Sequence, residues 1–111
     1  MEEFVYYDLL FDIYEQLFND KSREFFKLYY EENLTLQEIA DNYHVSKSYV
    51  GSVLKKTEKK LDELESNLKI YENRSKLADL LKLNDIEKIK KSINKILDWM
   101  LHRVTFFLYL R

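Results

Sequence analysis

The sequence predicts an all-α protein: a helix-turn-helix head, a long heptad-patterned helix, and C-terminal helices. Three observations carry that expectation. The 111 residues contain no proline and one glycine, which leaves almost no turn chemistry for a β fold. Apolar residues recur at three- and four-residue spacing along nearly the whole chain. The stretch 35–60, TLQEIADNYHVSKSYVGSVLKKTEKK, carries two helix starts separated by a short turn.

Residues 4–18 put Tyr6, Leu10, Ile13 and Leu17 on one helical stripe, with Leu9 and Tyr14 beside it and acidic residues opposite. Asn19 or Asp20 ends that helix and caps the next, over about 21–32, whose buried side is read as Phe25, Phe26, Leu28 and Tyr29. Thr35 followed by Glu38 is a capping box, so a helix starts at Leu36, with Ile39, Ala40 and Tyr43 on one face. The pattern breaks at His44, where the turn of such a motif favours glycine because the backbone adopts positive φ, a region histidine enters more readily than most residues. Ser46 caps a second helix from Lys47, with Val50, Val53 and Leu54 inward. Two helices crossing steeply across so short a turn need a small residue at the contact, and Ala40 supplies it. This is the anatomy of a DNA-binding helix-turn-helix, its second helix available to the major groove.

That second helix is expected to continue. Val50, Leu54, Thr57, Leu61, Leu64, Leu68 and Tyr71 alternate at four- and three-residue spacing, a heptad seam that predicts one helix from Lys47 to about Glu72. Such a helix is roughly 40 Å long, so part of the seam needs cover, from the chain's own C-terminal helices or from a second subunit. Leu61, Leu64, Leu68 and Tyr71 are the candidate interface residues. A short helix up to Leu83 follows, with Leu77, Leu80 and Leu81 as its apolar positions. Asn84 or Asp85 caps a last amphipathic helix through Ile86, Ile89, Ile93, Ile96, Leu97, Met100 and Leu101, and VTFFLYLR is expected to dock in a core or interface. Organisation is read as one helical domain over 1–111, with the head at about 20–60 and an extension or dimerisation region at about 61–111.

Charge is uneven beneath a net −2. Residues 1–20 hold six acids and no base, whereas residues 47–60 hold five lysines against Glu58. A localised basic surface on a near-neutral protein fits a nucleic-acid contact, although runs of charge also serve simply as solvated faces. Advancing 100° per residue from inward Val50, Ser48, Ser52, Lys55 and Lys59 point outward, with Tyr49 and Lys56 flanking them and Lys47 in the first turn. The serines suit base edges and the lysines suit phosphate oxygens, with Gln37 on the preceding helix able to touch the backbone. No Arg, Asn or Gln on this helix face supports bidentate base reading, so weak sequence specificity is expected.

Catalysis is poorly served. His44 and His102 stand alone and form no metal-ligand pattern, there is no glycine-rich phosphate loop, and no cysteine is present. No cofactor is expected. The acidic, signal-less N-terminus and the short apolar run near the C-terminus predict a cytoplasmic protein with no membrane insertion.

The order LLFDIYEQLF, FFKLYYEENLTLQEIADNYHVSKSYV, KKTEKKLDELESNLKIYE resembles the YlxM family, small helix-turn-helix proteins of Gram-positive bacteria, over about residues 5–97. The segment LYYEENLTLQEIADNYHVS is also similar to region 4 of sigma-70-type factors, whose helix-turn-helix reads promoter DNA. The resemblance implies a regulatory protein of the signal recognition particle pathway, whose genes neighbour those of the family, with homodimers. Its implied partners are duplex DNA or signal recognition particle RNA, together with the particle's protein. The recognition helix KSYVGSVLKK lacks the charged residues often seen mid-helix in that family, so no individual DNA contact is carried over. Two other readings stand beside it: a sigma-like transcriptional regulator, and a helical protein-interaction module that binds no nucleic acid.

Overall fold

The computed structural model describes the backbone of residues 3–109 and the side chains of residues 3–102. It contains six α-helices and, among the described residues, no strand. They are α1 (Glu3–Tyr14), α2 (Asp20–Tyr30), α3 (Leu36–Tyr43), α4 (Lys47–Leu68), α5 (Ile70–Leu80) and α6 (Ile86–Tyr109), with a 3-10 turn at Glu15–Leu17 after α1. The chain divides into two compact units, Met1–Glu63 and Leu64–Arg111.

The first unit is built on aromatic residues. Phe11 stacks on Phe26 at 4.1 Å between ring centroids, Phe26 on Tyr30 at 4.2 Å, and Phe18 lies 5.6 Å from Phe11. Around them Leu10, Phe25, Ile39, Ala40, Val50, Leu54 and Leu61 are buried. Each aromatic pair contributes about 0.5–1.5 kcal/mol beyond its burial.

The stripe expected on the first helix is corrected by one position. Leu10 and Tyr14 are inward, but the remaining core residues are Phe11 and Phe18, and Leu17 is 52% exposed. Phe11, Tyr14 and Phe18 keep three- and four-residue spacing, so the buried face lies one residue further round than the stripe through Tyr6, Leu10, Ile13 and Leu17. Asn19 caps α2 as expected, its Oδ1 accepting from Ser22 N–H at 2.9 Å. In α2 the buried residues are Phe25, Phe26 and Tyr30, with Leu28 and Tyr29 only half-buried. Glu15 joins the turn to α2 through Lys27 at 2.6 Å and Arg23 at 3.6 Å, and the Lys27 hydrogen bond holds its carboxyl below the ordinary range.

The expected 47–72 helix ends at Leu68. Lys69 adopts left-handed backbone (φ 50°), and α5 starts immediately after it. The carboxylate of Glu65 accepts from the N–H groups of Tyr71 and Glu72, each at 3.0 Å, and so supplies the N-terminal cap that Lys69 cannot. In the second unit Asp85 caps α6, accepting from Glu87 and Lys88 N–H at 3.1 and 3.2 Å. Of α6's apolar residues through Leu101 only Ile96 is buried, and Trp99 is half-buried beneath the Lys69 ammonium at 5.7 Å. The side chains of the VTFFLYLR ending lie outside the described residues.

Candidate nucleic-acid interface

The helix-turn-helix is assembled by local chemistry. Thr35 Oγ1 accepts from Glu38 N–H at 3.1 Å, and Glu38 Oε1 accepts from Thr35 N–H at 3.0 Å, closing both halves of the capping box. α3 ends at His44, which takes φ 55° and ψ 45° in the glycine position of the turn. Val45 N–H donates to the Ala40 carbonyl at 3.1 Å across that left-handed residue. Ser46 Oγ then accepts from Tyr49 N–H at 3.0 Å and starts α4. Ile39 and Ala40 from α3 and Val50 from α4 are fully buried, which sets the two helices against each other.

The start of α4 is braced by aromatic rings. Phe25 meets Tyr43 edge-on at 5.0 Å and Tyr49 at 6.1 Å, while the Lys21 ammonium lies over both Phe25 and Tyr43. Tyr43 donates to Glu24 at 3.1 Å, which ties α3 to α2. Tyr49 therefore has two roles where the sequence suggested one: its ring braces the helix and remains 43% exposed.

With that frame fixed, Lys47, Ser48, Ser52, Lys55, Lys56 and Lys59 are all exposed on α4. None of the four lysines enters a salt bridge among the described residues. The structure thus brings together the serine and lysine positions proposed from the sequence on one solvent-facing helix. Gln37 stands apart, because its side-chain N–H donates to Asp41 at 2.9 Å within α3. Lys60, which adds to the lysine count of this segment, is spent elsewhere: it donates to the Leu17 carbonyl at 2.7 Å and covers the Phe18 ring at 4.7 Å. Glu58, the acid of the segment, turns inward, where burial raises its pKa and the Tyr30 phenol donates to it.

The heptad interface needs correction at its first residue. Leu61 is fully buried, as are Val50, Leu54 and Thr57 before it, apart from a few per cent at Leu54 and Thr57. Leu61 is a core residue and not a free docking position, and beside it the Tyr7 phenol donates to Asp62 at 2.8 Å, tying this part of α4 to α1. Leu64, Leu68 and Tyr71 are half-buried.

Among the described residues no group of three His, Cys, Asp or Glu is placed to hold a metal ion. His102 instead lies 3.2 Å from Asp98 on the same helix. No helix among the described residues is long and apolar enough to cross a membrane.

The model of the UPF0122 family, "Putative helix-turn-helix protein, YlxM / p13 like", matches residues 1–100. This chain belongs to that family. Among its relatives, a UPF0122 protein of Mycoplasma mycoides is 36% identical over 95 residues, covering 81% of this chain and 84% of the relative. One of Shouchella clausii is 37% identical over 93 residues, covering 80% and 85%. One of Ureaplasma urealyticum is 42% identical over 83 residues, covering 74% and 84%. The family description agrees with the motif built by α3 and α4, and it names no enzymatic activity.

Proposed function

We propose that this YlxM/p13-like protein is a non-enzymatic, cytosolic regulator that binds nucleic acid through residues 46–60. One observation carries the reading: the second helix of the motif presents Ser48, Ser52, Lys55 and Lys59 outward, while Lys60 is engaged by the Leu17 carbonyl and Glu58 by Tyr30. The lysines supply phosphate contacts and the two serines reach base edges, with the braced Tyr49 beside them. Residues 1–63 hold fourteen acids against eight Lys and Arg, so the attraction is local and screened steeply by salt. Participation in the signal recognition particle pathway follows from the resemblance to YlxM, and makes the particle's RNA the first ligand to try.

Fluorescence anisotropy against signal recognition particle RNA and generic duplex DNA, at low and high salt, tests this. Binding that weakens steeply with salt is expected. Replacing Lys55, Lys56 and Lys59 with Gln should flatten the slope of log K against log salt on duplex DNA by roughly 3, at about 0.9 per lost phosphate contact. Absence of binding at low salt overturns the reading. That result leaves a protein-interaction module, the reading favoured by the exposed apolar side chains of α5 and α6.

A further inference from the structure

Between α5 and α6 the second unit holds a cavity of about 430 Å³, within the range that takes a small ligand. The link 81–85 turns α6 back along α5, so Lys69 and Trp99 stand at one end of the cavity and Leu80 and Ser92 at the other. Leu80, Ile96 and the Trp99 ring give it an apolar wall. Asn73 also lines it, only 7% exposed, and its amide Nδ2 has no hydrogen-bond partner among the described residues. A buried donor left unmet is costly to the fold, and a ligand atom that accepts from it removes that cost.

The charged groups at the rim differ in how fully they are engaged. The Lys69 ammonium lies over the Trp99 ring at 5.7 Å, a loose contact from a side chain 40% exposed, so a flat ring can take its place. Lys69 and Lys76 share Glu72 at 3.7 and 4.0 Å. Lys95 and Asp79 enter no salt bridge among the described residues. Asn73 and Asp79 are separated along α5 by about 9 Å at 1.5 Å per residue, the reach of a mononucleotide from its base to its sugar and phosphate.

The geometry points to a binding site for a free adenine mononucleotide. Trp99 stacks the base, and the Asn73 amide meets the donor–acceptor edge of adenine, the edge that an asparagine pairs with best. Asp79 accepts from the ribose hydroxyls, as acidic side chains do in dinucleotide sites, and Lys95 takes the phosphate with Lys76 beside it. The site lies within the second unit and uses none of the lysines of α4, so it stands apart from the nucleic-acid contact proposed above.

Trp99 is the one tryptophan of the chain, so its fluorescence reports the site directly. Titrating the full chain with adenosine monophosphate should quench Trp99 along a saturating one-site curve, matched by the heat of binding in calorimetry. Lys95→Gln should weaken adenosine monophosphate about tenfold and leave adenosine unchanged, the loss expected for one charge-assisted hydrogen bond. Asn73→Leu keeps the buried volume and removes the unmet amide. It should fold at least as stably by circular dichroism while losing the preference for adenosine monophosphate over uridine monophosphate. Neither quench nor heat with adenosine monophosphate, or unchanged affinity in Lys95→Gln, overturns the site. Equal wild-type affinity for uridine monophosphate overturns the role of Asn73. Tighter binding of a short adenine single strand than of the monophosphate overturns the assignment to a free nucleotide.

Discussion

The Tyr7 phenol donates to the Asp62 carboxylate at 2.8 Å, joining residues 55 positions apart and holding the fifth turn of α4 onto α1. Burial, with the Asp62 hydrogen bond and charge beside it, pushes the Tyr7 pKa up, so the phenol stays a donor across the ordinary pH range. Leu61, next to Asp62, is fully buried.

Leu61→Ala should accordingly cost about 2–5 kcal/mol of stability, the range for truncating a fully buried leucine. Urea unfolding followed by circular dichroism measures it. A change below about 1 kcal/mol would show that the seam at this position is lightly packed.

Glu58 gives a pH dependence of definite sign. Its carboxyl is raised above the ordinary 4.5, chiefly by burial, so the folded state holds its proton more tightly than the unfolded state. Its contribution is therefore favourable at low pH and is lost as pH rises from 4.5 through the folded value. Glu58→Gln keeps an acceptor for Tyr30 and removes the titration. Thermal unfolding should find the variant gaining on the wild type between pH 4 and pH 7; a constant difference across that range would contradict it.

His44 occupies the left-handed region at φ 55°. His44→Gly should stabilise the protein by roughly 0.5–1 kcal/mol, the relief of backbone strain outweighing the added freedom of the unfolded chain. A lower unfolding midpoint would mean that the imidazole makes a contact worth more than that strain.

Gly51 has no such reason to be glycine. A Cβ there would meet Leu36 Cδ1 at 3.9 Å, an ordinary contact, and its φ is not positive. Gly51→Ala should stabilise α4 by about 1 kcal/mol, read from the same unfolding curves.

The parts of the fold legible in the sequence were those decided within a few residues. Thr35 with Glu38, Asn19, Ser46 and Asp85 each announce a helix start, because a cap is a bond between near neighbours. The outward set Ser48, Ser52, Lys55 and Lys59 followed from helical geometry once Val50 was taken as inward. Phe11 and Phe18 were missed because Tyr6, Leu10, Ile13 and Leu17 offer an equally apolar stripe one residue round the same segment, and spacing alone does not choose between the two. The end of α4 was missed for a similar reason: neither Gly nor Pro stands at Lys69, and the heptad pattern runs straight through. Leu61 was assigned to an interface because a seam shows that a face is covered without showing by what. Likewise Lys60 looked like its neighbours until Leu17 and Phe18 were in place beside it.

The cap that Glu65 places on α5 couples two helices that the backbone separates. The first amides of α5 are protected by a side chain anchored in the last turns of α4, so fraying that turn releases Tyr71 and Glu72 at the same moment. Solvent exchange at those two amides should therefore report the opening of α4's end, with both amides exchanging together.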